Sequence, residues 1–488
     1  MAQTTGFLAA EQFEGKLYSG GWVAGSERLE TREPATGELL CEVGAADTAQ
    51  VHEATRAAAA AQPAWAATDP LERMAILLRA AEVFEANHAE ICDWLVREGG
   101  GVPFKAEAEF VGSIVELREA AALAPRARGE LIPTVDGSLS SAVRVPVGVV
   151  GVIIPWNFPF ALGMRSIAPA LALGNAVVLK CDPNTPICGG FVFARAFEEA
   201  GLPDGLLHVL PGGAEAGAAL TTAPDVGMVS FTGSTAAGRK VGASCGENLK
   251  HVSLELGGKN SFIVLEDADV DAAASNGALG AFMHQGQICM AVGRHLVHEK
   301  VADEYLEKLA ASATNMPVGN PATDNVGLGP LINASQFEKV SSIVADSVAQ
   351  GAEVRAGGEG QAPFFPATVL AAMTPEMRGW REEIFGPVAP VMTFSDDDEV
   401  IALANDTEYG LSTGIITGSV SRGRQIVSQL RTGMAHINGQ TVNQDPRVPF
   451  GGMGASGNGS RFGGDANLDN FTQWRWITEL AQPITFLY

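Results

Sequence analysis

Between residues 147 and 231, short runs rich in β-branched residues alternate with helical stretches, and that rhythm leaves few folds open. The runs lie at 147–154, 176–179, 206–209 and 228–231; helical patterns at 166–173, 190–199 and 214–220 separate them. Strand–helix–strand units at this spacing form a mostly parallel sheet, the architecture of nucleotide-binding domains. A second alternation begins near Ser261. Strands are predicted at 261–265, around Val297, around Phe394 and at 414–417, with helices at 269–284, 301–314, 334–350 and 421–430. Ahead of both, 48–98 carries apolar residues at three-to-four spacing and reads as helical, as does the stretch from Gly99-Gly100-Gly101 to about Ala124.

A chain of 488 residues has room for two or three such units, at about 100–200 residues per domain. Its formal charge of -24 repels phosphate backbones and anionic lipid, which argues against nucleic acid and membrane surfaces as partners. Six cysteines, none in a C-x-x-C pair, are too sparse for a disulfide scaffold and give no zinc signature, so no metal is implied. The start, MAQTTGFLAAEQFEGK, lacks a basic segment followed by an apolar run, and a reducing, cytoplasmic setting is expected. Residues 145–164 carry no charge over the length of a membrane span, but Pro146, Pro155, Pro159, Gly148, Gly151 and Gly163 would break a helix repeatedly. A buried strand entering a tight loop is the expectation there.

Two pattern matches are set aside. Gly242-Ala243-Ser244-Cys245-Gly246 fits a hydrolase nucleophile elbow, yet a helical stretch precedes the serine where a strand is required. Gly452-x-Gly454-x-x-Gly457 follows no strand of a βαβ unit. The informative segments are PWNFP (155–159), FTGST (231–235), LELGGKN (254–260), HQGQICM (284–290) and EEIFGPV (382–388). Singly, Cys289 reads as a structural thiol, Glu255 as a strand-end charge and Asn157 as a turn residue. Together they offer a cysteine in a glycine-containing turn, a carboxylate between Leu254 and Leu256, and an amide held between prolines. Those parts suit acyl transfer: nucleophile, base for water and oxyanion donor.

The five segments, in this order and at these intervals, resemble the aldehyde dehydrogenase superfamily over nearly the whole chain. The resemblance implies that Cys289 attacks an aldehyde, that Asn157 and the backbone N–H of Cys289 hold the oxyanion, and that Glu255 activates water to hydrolyse the thioester. For the cofactor it implies Lys180 near the adenine ribose, Ser234 near the pyrophosphate, Glu383 and Phe385 at the nicotinamide riboside, and Trp156 and Leu256 lining the cleft. A helix N-terminus at Ser234 suits an anion on electrostatic grounds alone. One departure bears on coenzyme choice. Members preferring NAD usually carry a glutamate three residues after the lysine, where this chain has Pro183, so NAD is expected with NADP also accepted.

The stretch 284–297, Arg165-Ser166 and the ending NLDNFTQWRW resemble the subgroup acting on benzaldehyde or vanillin, with Phe158, Leu162, Arg165, Ile288, Met290 and Phe450 as candidate pocket walls. Arg165 also keeps an aliphatic semialdehyde open; a non-catalytic family member would have no reason to retain Cys289, Glu255 and Asn157 together. The expected α/β fold has three parts: a Rossmann-like NAD(P)-binding domain (1–126 with 147–257), an α/β catalytic domain (258–466) and a small β extension (127–146 with 467–488). In the family that extension pairs subunits, implying a homodimer or homotetramer.

Overall fold

The computed structural model describes residues 6–126, 129–135 and 138–486; the remaining positions of the predicted extension and of the N-terminal segment lie outside the described residues. Two seven-stranded sheets and one three-stranded sheet organise the chain, with a separate hairpin (Glu27–Arg32 with Leu39–Ala45) near the start.

The first sheet runs, in space, His251–Glu255, Val226–Thr232, Val149–Ile153, Ala176–Lys180, Leu207–Val209, Lys16–Ser19 and Trp22–Ala24. The first five are parallel; the last two add antiparallel at the edge. Numbered along the chain, the parallel strands follow the order 3-2-1-4-5 of a doubly wound fold, whose ligand crevice opens where the order reverses. Here the reversal lies between Val149–Ile153 and Val226–Thr232. Burial explains the near-continuous apolar sequence: every residue of Val149–Ile153 and Ala176–Lys180 is buried.

Helices cover this sheet: α1 (Thr48–Ala67), α2 (Pro70–Ala86), α3 (His88–Gly99), α4 (Pro103–Leu123), α5 (Pro159–Ala172), α6 (Val192–Glu199), α7 (Ala214–Thr222) and α8 (Thr235–Glu247). The region read as helical over 48–98 holds three helices, α1 to α3. The Asp69 carboxylate caps α2 at the N–H of Leu71, with Pro70 in the first turn, and Asn87 separates α2 from α3. The elbow-like Gly242–Gly246 lies inside α8, so its serine is a helix residue.

The second sheet runs Glu353–Ala356, Thr368–Ala371, Val388–Phe394, Val292–His298, Asn260–Val264, Ser412–Ile416 and Met434–Ile437, parallel except at its first strand. Apolar clusters lie on both its faces. In the third sheet Thr472–Glu479 pairs along its whole length with Leu139–Pro146, which also pairs with Gly129–Ile132. The backbone of the C-terminal strand is thereby paired within the chain, while all its side chains but that of Thr472 stay exposed. Within 440–466, Thr441 bonds to Ser412 and Met290 of the second unit, while Ser456 O accepts from the Leu256 N–H and Phe462 packs in the core of the first. Among the described residues no helix is long and apolar enough to cross a membrane; 145–164 divides into strand, loop and the start of α5.

Candidate active site

Three chain crossings meet where the first sheet ends and the second begins. Asn157 follows the strand Val149–Ile153, Glu255 ends the strand His251–Glu255, and Cys289 precedes the strand Val292–His298. Gly257 and Gly258 carry the chain from one sheet to the other through a space no side chain could share. A Cβ at Gly258 would stand 2.4 Å from the Cys289 carbonyl oxygen, and one at Gly257 2.4 Å from Glu383 Oε2.

The segment ahead of Cys289 is strained. His284, Gln285 and Gly286 all have positive φ (49°, 56° and 65°), a left-handed run that two of these residues adopt at a cost. Buried hydrogen bonds hold it: Gln285 Nε2 donates to the Gly100 and Pro330 carbonyls, and Gln287 Oε1 accepts from the Ile332 N–H. Asn157 Nδ2 donates to the Gln287 carbonyl at 2.9 Å, tying the amide to the cysteine's own turn. An amide nitrogen carries two hydrogens, and the second remains available.

Cys289 forms a wall common to two cavities of about 190 Å³ each. One lies between α4 and α5. It brings together Asn157, Phe158, Leu162, Arg165, Ile288, Cys289, Met290 and Phe450, all marked by sequence, and adds Glu109 and Glu116 from α4, which sequence reasoning missed. Their signal was faint: charges standing among Phe110, Ile114 and Leu117 on a helix whose face is otherwise apolar or small. The other opens at the strand-order reversal and is lined by Trp156, Asn157, Thr232, Ser234, Leu256, Glu383 and Phe385, with Gln336 and Lys339 as further unforeseen members. Ser234 caps α8, its Oγ accepting from the Ala237 N–H. Phe385 is held at φ 58° by Gln336 Nε2, which donates to its carbonyl, and its ring meets Trp156 edge-on at 5.5 Å.

Lys180 and Glu255 line neither cavity. Lys180 ends its strand with its stem against Gly217 of α7. Glu255 is buried with its carboxyl against Gly451, and Oε1 has no hydrogen-bond partner. Burial pushes Glu255 up to about 8, against the pull of Arg165 and then Arg461. Burial likewise pushes the Cys289 thiol up to about 12; Arg165 opposes this, while Glu255 and Glu383 add to it. Arg165 sits between the rings of Phe450 and Phe462, 4.7 Å from each, and donates to Thr232 Oγ1. Beside the loop carrying Pro183, the Asp182 carboxylate accepts from the Asn184 backbone and side chain, so it is already engaged.

A cysteine on a strained turn and an amide tied to it stand beside the crevice of a doubly wound sheet, and the chain belongs to the aldehyde dehydrogenase family, whose sequence profile matches residues 22–477. It is 52% identical over 475 residues to a vanillin dehydrogenase from an Amycolatopsis species, covering 97% of this chain and 98% of that protein. It is 49% identical over 474 residues to a Pseudomonas putida protein named benzaldehyde dehydrogenase (NAD(+)), covering 97% of each. Among solved structures, a salicylaldehyde dehydrogenase from Pseudomonas putida G7, complexed with salicylaldehyde, matches with a TM-score of 0.93 at 34% identity, over 98% of this chain and 99% of that one.

Proposed function

We propose that this chain oxidises aromatic aldehydes of the benzaldehyde and vanillin type to carboxylic acids, with NAD as the favoured acceptor and NADP also accepted. The observation that carries the reading is the position of Cys289 between an apolar cavity rich in ring-binding side chains and a second cavity at the strand-order reversal. The relatives named for vanillin and benzaldehyde support the aromatic assignment.

The second cavity fits a dinucleotide. Gly257 leaves space that a Cβ would fill, Ser234 offers a capped helix N-terminus for the pyrophosphate, and Glu383 and Phe385 border the end nearest Cys289. Lys180 would reach the adenosine from beyond that cavity. When bound, NAD supplies the acceptor for the hydride that leaves the aldehyde carbon.

The protein's own residues divide the remaining work. Cys289 loses its thiol proton to solvent and the thiolate attacks the carbonyl carbon, and the developing oxyanion is held by the free N–H of Asn157 and the Cys289 backbone N–H. After oxidation the acyl group stays on Cys289 as a thioester. Glu255 then turns from Gly451 towards the thioester and takes a proton from the attacking water. Residues 1–126 with 147–257 form the cofactor-binding part, 258–466 the catalytic part, and 127–146 with 467–488 an oligomerisation extension. Leu131, Trp474 and Trp476 are exposed on that extension, which supports a homodimer or homotetramer. A reducing cytoplasmic setting keeps the nucleophile available, and all six cysteines are free.

The test is NADH formation from benzaldehyde and acetaldehyde under matched conditions. The ring's additional buried apolar area is worth on the order of 1–3 kcal/mol, so benzaldehyde should lead by roughly ten- to a hundredfold in kcat/KM. Equal values would sink the aromatic assignment.

A further inference from the structure

The cavity between α4 and α5 is apolar around Phe158, Leu162, Met283, Ile288, Met290 and Phe450, so each polar group on its wall is conspicuous. Most are already satisfied. Glu109 Oε1 accepts from the N–H groups of Phe160 and Ala161, and its Oε2 from Lys105. Ser113 donates to the Glu109 carbonyl. Asn157 is tied to Gln287, and Arg165 to Thr232 between its two aromatic rings.

Asn157 Oδ1, Arg165 Nε and Glu116 Oε1 are left without a partner; the first belongs to the proposed oxyanion amide and the second is a donor, so Glu116 is the unpartnered acceptor outside the proposed catalytic set. It is 3% exposed and lines the same cavity as Cys289, and its Oε1 has no hydrogen-bond partner. Two helical turns, about 10 Å, separate it along α4 from Glu109, so it serves a different part of the cavity. A buried carboxylate oxygen without a donor is costly, and a hydroxyl on a ligand in the same cavity can complete it. Arg165 moderates the cost of its charge, while Glu119 and Asp445 oppose that help, and burial pushes the group up to about 7.

We propose that Glu116 accepts a hydrogen bond from a hydroxyl on the ring of the aldehyde, making hydroxylated benzaldehydes the preferred substrates of this site. The inference rests on the aromatic reading above. An apolar wall can select a ring, but it cannot distinguish a hydroxylated ring from a bare one; an unpartnered acceptor can. A hydroxyl conjugated with the aldehyde is a strong donor, and a mostly apolar site loses much when that donor is replaced by a group that cannot donate.

The experiment compares kcat/KM for benzaldehyde, 4-hydroxybenzaldehyde, 3-hydroxybenzaldehyde and 4-methoxybenzaldehyde in the native enzyme, Glu116→Gln and Glu116→Leu. The methoxy compound fills more space than the 4-hydroxy compound yet cannot donate. In the native enzyme one of the two hydroxy compounds should exceed both benzaldehyde and the methoxy compound by about ten- to a hundredfold. Glu116→Leu should collapse both ratios towards one, and Glu116→Gln, which keeps an acceptor of nearly the same shape, should retain part of the preference. A purely structural role would lower all four substrates in parallel and leave the ratios intact, which would overturn the proposal. So would a native enzyme without any preference for a hydroxyl. If acetaldehyde matched or outran every ring compound in the native enzyme, the aromatic reading itself would have failed, an outcome separate from a ratio that does not respond to Glu116.

Discussion

Changing Glu255 to Gln removes one buried ionisable group from beside the two cavities and leaves a side chain of nearly the same shape. In the native protein burial holds Glu255 near 8 rather than at the ordinary 4.5, a preference for the neutral acid on the order of 4–5 kcal/mol. Between those two values the folded protein keeps a proton that the unfolded chain has released. Stability therefore falls as pH rises through that window, and the cost is complete above about 8. Glu255→Gln does not carry it. Thermal unfolding should show the variant matching the native enzyme at about pH 5 and exceeding it above pH 8, by no more than that same few kcal/mol. Activity should change in the opposite sense. Because oxidation precedes hydrolysis, mixing the variant with benzaldehyde and NAD should release one NADH per active site and then stall, with the acyl group on Cys289 by mass spectrometry. Native deacylation should climb about tenfold per pH unit until it levels near 8, as the base ionises. The reasoning is refuted if the variant turns over steadily at near-native rate. A missing burst at neutral pH that returns at high pH would instead place Glu255 at thiol activation.

Further outcomes follow from the same geometry. Cys289→Ala should abolish aldehyde oxidation while NAD binding, followed by fluorescence, survives; Cys181→Ala, Cys188→Ala and Cys245→Ala should each keep substantial activity. Pro183→Glu should shift the ratio of NAD to NADP efficiency towards NAD, by adding an acceptor and repelling a 2′-phosphate; a native enzyme that already excludes NADP by several orders of magnitude would show that another group discriminates. Gln285→Ala leaves the Gly100 and Pro330 carbonyls without their buried donor. It should cost about 2–4 kcal/mol in chemical denaturation and lower kcat more than it raises KM, since the strained turn that aims Cys289 is released.

Much of the fold could be read because its strands are fully buried and its helices periodic. The strand predicted at 147–154 is Val149–Ile153, and the helix predicted at 334–350 is Ala334–Ala349. What escaped was short or non-local. Lys16–Ser19 and Trp22–Ala24 are too brief to show a period, and their place at the edge of a sheet built mostly from residues 149–255 depends on packing alone. The helix expected to reach His284 stops at Phe282, because the chain enters the left-handed turn held by Gln285. Among the residues that line the cavities, Cys289 and Asn157 were marked by the segments around them. Glu109 and Glu116 were not, because a charge on a helix is ordinarily a solvated one, and only the packing of α4 on α5 shows that these are enclosed.

The pairing of Thr472–Glu479 with Leu139–Pro146, together with the burial of Phe462 and Phe471 in the first core, also sets a timetable for biosynthesis. A nascent chain emerges from its N-terminus, and strands 149 to 255 can find one another early. Their core stays open until residues beyond 460 leave the ribosome, and the strand ending at Pro146 waits longer still for its mate. Such long-range closures slow folding and leave sticky intermediates in the interval. Premature termination just short of residue 460 should thus yield an aggregation-prone product rather than a trimmed enzyme, even though all three proposed catalytic residues would already have been synthesised.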